Sequence, residues 1–122
     1  MGTEAVSFAN SELYDVDSYA TQNGVFVLDN CKIVQEDDSI ARPLISFGTH
    51  TMNRCTVIDK VGITSSARRK YGVKEYRIEA KDSDIRLEGD TVVTKGLALT
   101  GGKISGVKAA EFQGKQTKTV FK

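Results

Sequence analysis

"GVFVLDNCKI" (residues 24–33) and "GTHTMNRCTV" (residues 48–57) follow one plan. Each opens with glycine, places a cysteine seven residues on (Cys31, Cys55) and a β-branched apolar residue nine on (Ile33, Val57). Leu28 and Met52 match as well, and Gly72 and Gly96 extend the glycines into a grid of 24. A coil of that length suits a chain that winds round an axis, laying each short strand beside the last at about 4.8 Å. After the second coil the match thins, with Ile78 and Glu79 displacing the expected offsets. A looser echo runs through "NSEL" (10–13), "NCKI" (30–33) and "DSDI" (82–85), each a polar opening with an apolar residue three places on.

Working outward, Asn23-Gly24 is a turn signal, because both residues tolerate positive φ. Val25–Leu28 reads as an apolar strand, and Asp29-Asn30 as a bend before Cys31-Lys32-Ile33. "QEDDS" (35–39) reads as an exposed loop. "PLISF" (43–47) reads as a strand with Pro43 at its start, where no ladder donor is needed. "CTVID" (55–59) follows in the same style. Tyr76, Ile78 and Ala80 alternate with Glu75, Arg77 and Glu79, the pattern of a half-buried strand. "TSSARRKYG" (64–72) reads as a protruding polar loop or one helical turn. No segment carries a helical apolar stripe. The expected fold is all-β: one domain over residues 1–122, a short right-handed parallel β-solenoid of about 24 residues per turn. A compact antiparallel sandwich or barrel is the alternative.

In "NGVFVLDNCKI", "NRCTVID" and the spaced glycines the chain resembles the right-handed parallel β-helix proteins, the fold of phage tailspikes and pectate-lyase-like enzymes. The resemblance is one of texture, over about residues 5–107. It implies side-chain ladders, with Cys31 stacked on Cys55 as two free thiols inside the core. It also implies a virion or extracellular setting, with a cytoplasmic one left open, and a trimer as the favoured assembly.

Composition narrows the function. The 122 residues include no tryptophan, one proline, eleven glycines, two cysteines and one histidine. Two thiols are too few for a disulfide scaffold or a cysteine-only zinc site, and one histidine leaves little for a metal cluster. No apolar run approaches a membrane span. The opening "MGTEAVSFANSEL" lacks a signal-peptide pattern. Net charge is +1, unevenly spread: residues 1–41 carry −7, residues 42–94 carry +3 and residues 95–122 carry +5. Such polarity favours contact between unlike ends. Val120 and Phe121 close the tail "AAEFQGKQTKTVFK" with apolar surface that invites another chain, so residues 108–122 are a candidate oligomerisation strand.

His50 has no nucleophile motif beside it and reads as a structural or solvated loop residue. Asp15/Asp17, Glu36/Asp37/Asp38 and Asp82/Asp84/Glu88/Asp90 contain enough carboxylates for a glycosidase pair, although such clusters more often form turns. "QEDDS" lacks the ligand series of an EF-hand. Arg68, Arg69, Lys70 and Tyr71 are the candidate binding residues, for phosphates or an acidic polysaccharide. "LTGGKISG" (99–106) lacks the order of a phosphate-binding loop. The expected function is a non-catalytic structural or binding module of a phage tail/fibre-like or extracellular assembly. It needs no metal or cofactor, and nucleic acid and membrane are not expected partners. The alternatives are a carbohydrate-active β-helix fragment using Asp pairs and a nucleic-acid-binding protein with a basic loop.

Overall fold

The computed structural model describes residues 6–16, 25–40, 49–62, 76–89 and 94–122. Those residues wind into a parallel β-solenoid, two strands to each coil. The first strands of successive coils are β1 (Val6–Ala9), β3 (Val25–Asp29), β5 (Thr49–Asn53), β7 (Ile78–Lys81), β9 (Leu97–Thr100) and β11 (Lys115–Thr117). The second strands are β2 (Glu12–Tyr14), β4 (Lys32–Gln35), β6 (Thr56–Asp59), β8 (Asp84–Leu87), β10 (Lys103–Ser105) and β12 (Val120–Phe121). Each set stacks in coil order into a six-stranded sheet. Every strand pair is parallel, because each coil runs the same way round the axis. The antiparallel sandwich or barrel is therefore set aside.

The quoted stretches are the second and third coils, in the expected register: Leu28 lies on Met52 and Ile33 on Val57. The period itself is not constant. Val6 pairs with Phe26, Phe26 with His50, His50 with Ile78 and Ile78 with Leu97, so successive coils take 20, 24, 28 and 19 residues. Ala98 pairs with Lys115, a coil of 17. Gly96 precedes Leu97 and so lies level with Arg77, not with Gly72. Its glycine answers a local need, since a Cβ there would run into the Tyr76 carbonyl oxygen.

What stays constant is the corner. Two residues link the paired strands of every coil: 10–11, 30–31, 54–55, 82–83, 101–102 and 118–119. The first of each pair is left-handed: Asn10 (φ 54°), Asn30 (52°), Arg54 (55°), Asp82 (52°), Gly101 (66°) and Lys118 (59°). Asn, Asp and Gly adopt this region at least cost, which explains the "NSEL", "NCKI" and "DSDI" echo. Each inner corner is tied to both neighbours by backbone hydrogen bonds. The first corner residue donates its N–H forward, as in Asn30 to the Asn53 carbonyl and Gly101 to the Thr117 carbonyl (2.9 and 2.8 Å). The residue after the corner donates backward, as in Lys32 to the Ser11 carbonyl and Val120 to the Gly102 carbonyl (2.9 and 3.0 Å).

Strand alternation sends one set of side chains inward. Phe26, Leu28, Cys31 and Ile33 of the second coil continue through Met52, Cys55, Val57, Ile78, Ala80, Ile85, Leu87, Leu97 and Leu99 to Ile104. A 3-10 turn at Ala109–Glu111 precedes the last coil. There Phe121 packs on the chain's own core, with the Phe112 ring edge-on at 5.2 Å. The expectation that both terminal apolar side chains lack cover is thus corrected for Phe121, whereas Val120 stays 56 % exposed. No helix among the described residues is long and apolar enough to cross a membrane.

Candidate functional site

The outward side of the corners carries a polar ladder along the axis. Asn30 Nδ2 donates to Asn10 Oδ1 at 2.8 Å. Asn53 Nδ2 donates to Asp29 Oδ1 at 3.1 Å, and the Arg54 guanidinium reaches both Asp29 oxygens at 2.9 and 3.0 Å. Further along, Asp84 accepts from Arg86 at 2.9 Å and lies 3.7 Å from Lys103 Nζ. Apart from Asp84 the charged groups are largely exposed, so solvent screens these pairs and each adds little to stability. Together they present amide, carboxylate, guanidinium and ammonium groups at the strand spacing of about 4.8 Å.

Several of the carboxylates that could have supplied a glycosidase pair serve other roles. Asp15, itself left-handed at φ 50°, accepts the N–H groups of Glu36 (2.7 Å) and Asp37 (2.9 Å) and the Gln35 amide (3.2 Å). Asp37 caps its own turn through Ser39, whose hydroxyl and N–H hold the carboxyl below its usual pKa. Asp82 is a corner residue and Asp84 is ion-paired. Asp17 and Asp90 lie outside the described residues. The turn-forming reading of these clusters is the one their geometry supports.

One carboxylate carries weight that the sequence reading missed. Asp59 ends β6 with no exposed surface. Its Oδ1 accepts the Val61 and Gly62 N–H groups at 3.1 and 3.2 Å, and its Oδ2 accepts the Tyr76 hydroxyl at 2.6 Å. Tyr76 is itself buried, so the pair ties the end of one coil to the start of the next inside the core. Of the two readings of His50, structural or solvated, the first fits, although in a strand and not a loop: it is an inward residue of β5, fully buried, its ring 5.4 Å from that of Phe26. Thr49, Thr51 and Asn53 point outward around it and give the stretch its loop-like composition.

Cys31 and Cys55 stand at equivalent corner positions of adjacent coils, both buried and both free thiols. Burial pushes the Cys55 thiol above its ordinary pKa. The fold therefore favours the neutral thiol, a contribution that is complete below the ordinary thiol pKa and erodes as pH rises past it. Alkylation by iodoacetamide at pH 8 should leave both unmodified in the folded protein and modify both in denaturant. Fast labelling of either in the native state, read by mass spectrometry, would contradict the buried ladder.

The basic residues Arg68, Arg69, Lys70 and Tyr71, and the whole 64–72 segment read as a protruding loop or one helical turn, lie outside the described residues. "LTGGKISG" forms the end of β9, the Gly101-Gly102 corner and β10, which is not the strand-to-helix geometry of a phosphate-binding loop. An open cleft of about 980 Å³ lies by the 3-10 turn, where Lys108, Glu111, Phe112 and Lys122 are among the lining residues. The remaining charge feature is axial. Among the described residues, coils one and two (6–16 and 25–40) hold six acids against Lys32, and residues 94–122 hold six lysines against Glu111. These regions sit at opposite ends of the stack. No family model matches the chain, and neither does any curated protein or solved structure.

Proposed function

We propose that the protein is a non-catalytic structural or binding β-module of a phage tail/fibre-like or extracellular assembly. The observation that carries this reading is the polar ladder on a stacked scaffold. Asn10, Asn30, Asp29, Asn53 and Arg54 are spaced by the strands and linked in two sets, Asn10 with Asn30 and Asp29 with Asn53 and Arg54, which restricts their side chains. A pre-ordered row of donors and acceptors suits an extended, hydroxyl-rich or acidic polymer such as a polysaccharide, since little side-chain entropy is left to lose on binding. Catalysis is a poorer use of the surface, because Asp15, Asp37, Asp59 and Asp84 already serve turns and pairs. A homotrimer is only what the tailspike resemblance implies; the exposed Val120 supports association without fixing its stoichiometry.

The test is incubation with a panel of neutral and acidic polysaccharides, followed both for binding and for chain length. Retention without shortening is the expected result. Cleavage that is lost in Asp82→Asn or Asp84→Asn would replace this reading with the carbohydrate-active one.

A further inference from the structure

Building on the reading as an assembly module, we infer that copies of this chain associate head to tail along the solenoid axis, the last coil of one seating on the first coil of the next. Among the described residues, β1 and β2 pair on one side only, and so do β11 and β12. The corners show what each free side offers. The first corner residue of every inner coil donates its N–H forward to the carbonyl that ends the next coil's first strand. In the last coil that donor is Lys118, and in a following copy the matching acceptor is Ala9. The residue after each corner donates backward. In the first coil that donor is Glu12, and the matching acceptor on the preceding copy is the Thr119 carbonyl. One end thus presents the partners that the other lacks, in the register that already joins β10 to β12.

The side chains agree with that register. Continuing it places Phe121 over Leu13, two partly buried core residues, and Lys122 over Tyr14. Val120 and Tyr14 are 56 % and 51 % exposed, at opposite ends of one sheet's outer face. In the joint they become diagonal neighbours and cover each other, and Glu12 comes within diagonal reach of Lys122. Charge sets the polarity. The first two coils are acidic and the last two basic, so unlike ends attract while both like-end pairings repel. A joint of two different surfaces does not close on itself unless the rotation returns, so growth is open-ended.

The experiment is sedimentation of the chain over a wide concentration range, at low and high salt, with Glu12→Lys, Lys122→Glu and the double swap. Average mass should rise with concentration without a plateau and fall at 1 M salt, where screening acts within about 3 Å. Each single variant should need about threefold to fivefold more protein to reach the same mass, and the swap should restore the original curve. Circular dichroism checks that all three fold. A monomer throughout, a fixed trimer, or growth indifferent to these changes would overturn the inference. The fixed trimer would leave the assembly reading in place, whereas polysaccharide cleavage would remove that reading whatever the mass.

Discussion

Replacing Asp59 with alanine should be among the most damaging single changes in the protein. The substitution removes the shared acceptor of the Tyr76 hydroxyl and the Val61 and Gly62 N–H groups, a carboxylate that is itself fully buried. A hydrogen bond to a charged group contributes about 1.5–3 kcal/mol, so losing the three together implies a loss of about 4 kcal/mol after partial relaxation. For a domain of this size that is a fall in melting temperature of about 15 °C. Tyr76→Phe removes one charge-assisted hydrogen bond and keeps the Val61 and Gly62 donors in place, for about 2 kcal/mol. The two changes share one interaction, so the double variant should fall short of their sum. Thermal melts of the three variants decide the matter. An Asp59→Ala protein within 1 kcal/mol of the parent would show that the 59–62 turn is held by something else.

That interaction was not legible in the sequence, and the reason is geometric. Asp59 and Tyr76 are 17 residues apart, and their meeting depends on where the third coil, the longest at 28 residues, returns to the stack. The register of the second and third coils was legible, because there the inward ladder keeps chemically similar residues at equal spacing. Extending the period of 24 failed because coil length is not what the fold conserves. Chain can be added or removed between the end of one coil and the start of the next without disturbing any ladder. The two-residue corner cannot change, since an extra residue would turn every following side chain to the other face. Its signal, a left-handed residue, then a small one, then an apolar one two places on, runs through "NSEL", "NCKI", "RCTV", "DSDI", "GGKI" and "KTVF". Arg54 and Lys118 hide it, because their side chains give no hint of positive φ. The charge asymmetry was equally visible, but only the stacking order turns it into an axial one.

The fifth corner tests this account most sharply, because there the column's own preferences mislead. Gly101 stands where other coils place Asn10, Asn30, Arg54 and Asp82, all at nearly the same φ. A Cβ on Gly101 would meet the Asp82 carboxyl tip at 2.5 Å, and that side chain can swing aside. Gly101→Asn should therefore fold with stability within about 1 kcal/mol of the parent, with lower unfolded-chain entropy offsetting residual strain. Gly102 stands where other coils place Ser11, Cys31, Cys55, Ser83 and Thr119, so serine is the substitution the pattern recommends. The backbone forbids it. Gly102 is left-handed at φ 63°, the second such residue in succession, and a Cβ would run into the Ser83 backbone. Gly102→Ser should cost about 3 kcal/mol or more, from a left-handed penalty of about 1–2 kcal/mol plus displacement of the coil below. The displaced backbone includes the Ser83 carbonyl that accepts from Lys103 at 2.9 Å, so the loss should spread into β8 and β10. Hydrogen exchange across residues 83–87 and 103–105, with melting curves for both variants, separates the outcomes. Equal stabilities for Gly101→Asn and Gly102→Ser would mean that the fifth corner can relax to the geometry of the others and that its paired glycines are incidental.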